Sequence, residues 1–207
     1  ATYGGKVGIY MAAEVSPSYV QNDGLNYSIR SGWDAIALPG GGTLTFGGNE
    51  RTIFNSVGQE IDSRGLGVDR ILDVAVTSDG RIFYAVAGAS NIEGHQGTVR
   101  IQEYASGSGQ RIKDIVVDTN SADLKLDVAT FGQNEYLVAA FSEGGTSEND
   151  VFVQAFDLNL TVRQNKIQIN DQDLFNQRDL TLATDEEGSI LVAYESYDGE
   201  LFNISYN

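Results

Sequence analysis

Apolar and polar residues alternate over short stretches along the whole chain, as in Arg81 to Ala87, Thr98 to Tyr104, Asp150 to Phe156 and Glu200 to Tyr206. A period of two sends successive side chains to opposite faces and predicts strands. Between the stretches lie Gly40-Gly41-Gly42, Ser78-Asp79-Gly80, Gly132-Gln133-Asn134 and Glu187-Gly188, residue types that accept the positive φ angles of tight hairpins. No segment sustains an apolar period of 3.6 residues, so the pattern predicts an all-β protein.

The strands also recur as a set. Four segments superpose: Trp33-Asp34-Ala35-Ile36-Ala37, Leu72-Asp73-Val74-Ala75-Val76, Leu126-Asp127-Val128-Ala129-Thr130 and Arg178-Asp179-Leu180-Thr181-Leu182. Each carries Asp in second place. Each precedes a turn, a second strand (Thr43 to Gly48, Arg81 to Ala87, Glu135 to Phe141, Ser189 to Glu195) and a third (Arg51 to Val57, Thr98 to Tyr104, Asp150 to Phe156, Glu200 to Tyr206). A fourth short strand follows in three sets, around Gln59 to Ile61, Ile112 to Val117 and Lys166 to Ile169, and the Asp residues are spaced by 39, 54 and 52 positions.

Four-stranded antiparallel units at such a period predict the blades of a four-bladed β-propeller, with a β-sandwich as the alternative. The last set stops at its third strand. A strand drawn from Ser18 to Ile29 is placed to complete it within the chain, which gives a single propeller domain over residues 18–207 and an N-terminal extension over 1–17. In that extension Lys6, Val7, Ile9, Met11 and Ala13 lie in a surplus strand pattern after the flexible Gly4-Gly5 pair. A surplus strand and an edge are the ingredients of strand donation between copies, which need not close and so can grow a filament.

Composition narrows the chemistry. Lys and Arg number 13 against 29 Asp and Glu, a net charge of −16 that argues against binding nucleic acid or anionic membrane surfaces. Apolar runs such as Tyr136 to Phe141 are too short to cross a bilayer as a helix. With no cysteine, thiol nucleophiles, thiolate metal sites and disulfides are absent, and with His95 as the single histidine a zinc site or Ser-His-Asp triad has almost nothing to work with. The opening at Ala1 without methionine reads as a mature secreted chain.

Carboxylates are what remains. Blade geometry places Asp34, Asp73, Asp127 and Asp179 on one rim, with Glu93, His95, Glu143, Glu148 and Asp150 and the connecting-loop acids Asp69, Asp118, Asp123, Asp171 and Asp173 projecting nearby. Two readings of the four Asp stand side by side. Each carboxylate accepts backbone N–H bonds and fixes one blade on the next, or together they hold a cation, for which calcium with its six to eight oxygen ligands fits. No Asp-x-Asp-x-Asp-Gly loop sharpens the metal reading, and no carboxylate pair is singled out for catalysis. Sequons at Asn26, Asn159 and Asn203 are no more numerous than chance allows.

The stretch from Asp34 to Gly48, DAIALPGGGTLTFGG, resembles the opening of a hemopexin-like repeat, although that family staples its first and last blades with a disulfide that this sequence cannot form. Val138-Ala139-Ala140-Phe141 and Val192-Ala193-Tyr194, within Ile115 to Asp157 and Ile167 to Tyr206, are similar to propeller repeats of large secreted bacterial adhesins. These resemblances imply extracellular binding or adhesion. The expectation is a secreted, non-catalytic structural or adhesive protein that binds copies of itself; the alternative is a lectin-like or peptide-binding surface module that takes an extracellular glycan or peptide on the acidic rim.

Overall fold

A computed structural model of the protein describes residues 18–22, 25–29, 33–68, 70–88, 97–105, 110–121, 123–144, 149–170, 176–185, 188–197 and 202–206. The chain falls into two compact units divided between Leu66 and Gly67, and each is taken by itself below. Every regular element among the described residues is a strand, so the protein is all-β.

In the first unit, β1 (Ser18–Asn22) and β2 (Leu25–Ile29) pair antiparallel with each other, Ser18 opposite Ile29 and Asn22 opposite Leu25. The single strand expected from Ser18 to Ile29 is therefore a hairpin of two. The sequence between them is Asp23-Gly24, a pair suited to a two-residue turn, and it is the signal that a one-strand reading overlooks. A second sheet follows in strict chain order: β3 (Asp34–Ala37), β4 (Thr43–Gly47), β5 (Glu50–Phe54) and β6 (Glu60–Gly65). Leu44, Phe46 and Ile53 are buried, and so is Arg51, whose Nη2 meets Asp62 Oδ2 at 2.7 Å. Burial pushes the Asp62 carboxyl up, but the guanidinium groups of Arg64 and Arg51 outweigh it and hold it below the usual range.

The second unit holds β7 (Arg70–Val76), β8 (Ile82–Ala87), β9 (Gly97–Tyr104) and β10 (Arg111–Ser121) in one meander. Next come β11 (Leu124–Phe131), β12 (Asn134–Gly144), β13 (Asn149–Asp157) and β14 (Val162–Gln168), again paired in order. Last are β15 (Asn176–Thr184), β16 (Ile190–Tyr197) and β17 (Phe202–Tyr206), with β15 touching β13 through the single parallel bridge Asn149 to Asn176. In this unit the predicted strands are all present, and most run longer than the alternation suggests.

The second unit is a stack of these sheets. Phe83, Ala85 and Ile101 of the first meander share a core with Leu124, Leu126, Leu137, Ala139, Phe141 and Phe156 of the second. The opposite face of the second meander contributes Ala140 and Val151 to another core with Leu180, Val192 and Tyr194. Strand β12 is thus buried on both faces, which is why Leu137 to Phe141 is an unbroken apolar run instead of an alternating one. Four-stranded antiparallel sheets stacked face to face in chain order, first strand beside first strand, are the blades of a β-propeller; a two-layer sandwich has no place for a sheet covered on both sides by other sheets.

One turn geometry recurs at 38–42, 55–59, 77–81, 157–161 and 185–189. In each, the first residue's N–H bonds the fifth residue's carbonyl at 2.8–3.1 Å, and the fourth residue's N–H returns to the first residue's carbonyl. The fourth residue takes positive φ, which costs a glycine nothing, yet at 157–161 it is Leu160 with φ of 62°. Leu160 is 6% exposed and packs into the first core, so burial of its side chain offsets the backbone cost.

Gly47 is where a side chain has no room. A Cβ there would lie 2.5 Å from Trp33 Cδ1 and 2.7 Å from Cγ, near the root of a rigid ring. Replacing Gly47 with Ala is expected to destabilise the first unit by about 1–3 kcal/mol. The chain's single tryptophan reports on this site, so the measurement is denaturant unfolding followed by its emission; an unchanged midpoint would contradict the prediction.

Candidate functional site

Two of the four predicted Asp residues tie one sheet to the next. On β7, Asp73 accepts the N–H of Val74 on Oδ1 at 2.9 Å and that of Leu126 on Oδ2 at 3.0 Å. On β11, Asp127 accepts from Val128 N on Oδ1 at 2.8 Å, and on Oδ2 from Thr184 N at 2.7 Å and Thr184 Oγ1 at 3.0 Å. Asp123 adds a second tie at the same interface by accepting Leu180 N at 3.1 Å. The bonds from Leu126, Thr184 and Leu180 each give a backbone N–H a carboxylate acceptor on the neighbouring sheet, a stronger pairing than neutral groups make.

The other two Asp differ. Asp34 opens β3 and is exposed, and Asp179 lies on β15 with its side chain outside the described residues. The ties also show the register. Asp73 reaches a partner 53 residues on, within one of the 54 expected, whereas Asp127 and Asp123 both reach partners 57 residues on. β15 carries an irregularity in its pairing between Arg178 and Thr181 that the spacing alone could not reveal.

Of the other rim residues, Asp150 Oδ1 accepts from Asn170 Nδ2 at 2.9 Å, while Asn170 Oδ1 accepts the N–H of Val151 at 2.8 Å. Glu143 is ion-paired with Lys166, whose ammonium sits 4.7 Å from the centroid of the Phe152 ring. Asp118 lies on β10. Asp69, Glu93, His95, Glu148, Asp171 and Asp173 are outside the described residues, as are Lys6, Val7, Ile9, Met11 and Ala13. Among the described residues, no three carboxylate or imidazole side chains gather as a cation site would require.

A charged cluster that the sequence reading missed joins the first two sheets of the second unit. Glu103, 5% exposed, accepts from Arg81 Nε at 2.8 Å and Nη2 at 2.9 Å, with Lys113 Nζ at 3.4 Å. Both cations reach across to the next sheet: Arg81 Nη2 donates to the carbonyl of Leu158 at 2.6 Å, and Lys113 Nζ to the same carbonyl at 3.2 Å and to Asn159 Oδ1 at 3.0 Å. Burial pushes the Glu103 carboxyl up, and Arg81 with Lys113 more than reverses this, leaving it below its ordinary range. A signal was available, since Glu103 follows Ile101 on the buried face of an alternating strand, where a lone charge demands partners.

The fourth strand of each meander is an edge. All seven residues of β14 are exposed, Val162 and Ile167 among them, and Ile61 on β6 and Ile112 on β10 are similarly bare. These edges carry charge: Glu60, Asp62 and Arg64 on β6, Arg111, Lys113, Asp114 and Asp118 on β10, Arg163 and Lys166 on β14. Charged edges resist pairing with other chains.

No family model matches the sequence, and no curated protein matches it. Among solved structures, a protein of unknown function from Bacteroides caccae is similar with a TM-score of 0.48 and 13% identity over 88% of this chain and 64% of that one. The β-propeller domain of Cps50 (Swd1) from Myceliophteria thermophila is similar at 0.48 and 10% identity over 83% of this chain and 54% of that one. The Dos1 propeller is similar at 0.47 and 12% identity over 80% and 41%. The chain thus spans less than two thirds of the length of each of these structures. The blade architecture stated above rests on the chain's own strand pairing and stacking.

Two predictions follow from the ties. Asp73→Asn and Asp127→Asn each keep an acceptor but lose its charge, and each is expected to cost roughly 1–2 kcal/mol in urea unfolding; the exposed Asp34→Asn is expected to stay within about 0.5 kcal/mol of the parent. Equal effects at all three positions would contradict this assignment. For Glu103, a folded-state pKa below the unfolded value means that its contribution is fully present at neutral pH and is lost as pH falls through the lowered value. The acid limb of the stability–pH curve should therefore be shallower in Glu103→Gln than in the parent, as measured by urea midpoints between pH 7 and the acid transition.

Proposed function

We propose that this is a non-catalytic extracellular structural or adhesive protein whose strand sets form four propeller blades, and that it associates with copies of itself through the strand pattern from Lys6 to Ala13. The observation that carries this reading is a mismatch in strand number. The sets ending in β6, β10 and β14 have four strands each, and the set β15 to β17 has three among the described residues. A set of three described strands, together with a segment elsewhere in the sequence that has surplus strand character, favours strand addition.

The interior carboxylates support a structural role. Asp73, Asp123 and Asp127 accept backbone N–H bonds, and Glu103 is held by two cations, so these groups are engaged in joining sheets. The extracellular part of the reading comes from the likeness of Val138 to Phe141 and Val192 to Tyr194 to adhesin strands.

Removal of residues 1–13 is expected to leave a folded protein that no longer assembles. Light scattering and electron microscopy of both forms at matched high concentration, with circular dichroism to confirm folding, make the test. A full-length protein that stays monomeric and shows no polymers would overturn the proposal.

A further inference from the structure

The structure separates the three Asn-x-Ser/Thr sequons. Asn26 lies within β2 opposite Gln21 and Asn203 within β17 opposite Ser196, each inside a paired strand. Asn159-Leu160-Thr161 instead lies in the tight turn between β13 and β14. Its two recognition residues, Asn159 and Thr161, are exposed, while Leu160 between them is buried in the first core. A glycan acceptor has to stand on the surface, because the group it receives is bulky and polar.

The turn is held by atoms other than those the modification uses. Asp157 N donates to the Thr161 carbonyl at 2.9 Å and Leu160 N to the Asp157 carbonyl at 2.8 Å, while Asp157 Oδ1 accepts the N–H groups of Asn159 and Thr161, each at 2.9 Å. Arg163 Nη2 meets the same carboxylate at 2.9 Å. The Asn159 amide is engaged through its oxygen, Oδ1 accepting from Lys113 Nζ at 3.0 Å, and among the described residues neither its Nδ2 nor the Thr161 hydroxyl enters a hydrogen bond. A sugar on Nδ2 leaves the amide planar and Oδ1 an acceptor, so the contact with Lys113 survives the modification.

We infer that Asn159 is an N-glycosylation site. In the transfer, Nδ2 bonds to the anomeric carbon of an oligosaccharide carried on a lipid diphosphate. The bond from that carbon to the diphosphate oxygen breaks, the diphosphate leaves with the electron pair, and Nδ2 gives up one proton to a base of the transferase. The inference rests on the extracellular location proposed above, since this transfer takes place outside the cytosol. It adds polar bulk three positions before Val162, on a strand whose residues are all exposed.

The full-length protein is expressed behind a cleavable secretion leader in cultured eukaryotic cells. Medium and cell lysate are compared by gel mobility with and without peptide N-glycosidase and by peptide mass spectrometry. Expected is a glycan on the peptide containing Asn159, removed by the enzyme, on a secreted protein whose circular dichroism matches that of unmodified protein made in bacterial cytosol. Asn159→Gln and Thr161→Ala should each abolish the glycan at this site, whereas Thr161→Ser should keep it; the two disabling variants act at different residues, so the test stands if one of them fails to fold. Secreted, folded protein with Asn159 unmodified would overturn the acceptor and leave the extracellular reading standing. Protein glycosylated at Asn159 but retained in the cell would support the acceptor and count against the extracellular reading. A chain neither modified nor exported would overturn both.

Discussion

The second unit depends on one sheet having two interiors. The β11, β12 and β13 part of the sheet is pressed between neighbours, so β12 must bury successive residues rather than alternate ones, and Leu137, Val138, Ala139, Ala140 and Phe141 leave no polar side chain on either face. At about 25 cal/mol per Å² of apolar surface removed from water, a strand covered on both sides contributes roughly twice what a half-solvated strand does. The small residues Ala139 and Ala140 let both neighbouring sheets approach, while Phe141 and Leu137 fill the space between. Everything else in the unit is arranged to hold that stack in register.

Apolar contact alone is non-directional and would let sheets slide. The polar ties prevent it. Asp73 and Asp127 each bond one N–H on their own strand and one on the next sheet, which fixes carboxylate orientation and inter-sheet offset together. At the outer part of the first interface, Arg81 and Lys113 converge on the Leu158 carbonyl, which sits in the same turn as the positive-φ Leu160. That turn therefore joins backbone strain, core packing and a charged cluster within a few residues.

Much of this was legible in the sequence because the governing rule is local. Alternation located the strands, and Gly or Asn in the turns located most hairpins; Asp73 and Asp127 stood out because the same residue opened successive sets. What escaped depends on long-range geometry. At the β11–β15 interface the partner of Asp127 is Thr184, 57 residues on, a pairing set by packing beside an irregular strand and not by any local pattern. Leu160 occupies a position that turn chemistry assigns to glycine, and only the core it enters explains it. Arg51 opens a predicted strand and is 2% exposed, its charge met by Asp62 on the adjacent strand, a pairing that no local pattern announces.

The stack of the second unit has a further consequence. Its middle sheet shares a core with each of the other two, so cooperativity passes along a one-dimensional series of interfaces, as in repeat proteins whose stability is a sum of unit and nearest-neighbour terms. In such a series the interior member is the last to open. The β11–β12 amides should mark the slowest-exchanging core of the unit, while β15 to β17, which among the described residues share one core with the rest of the unit, form a foldon able to open while the other sheets of the unit stay closed.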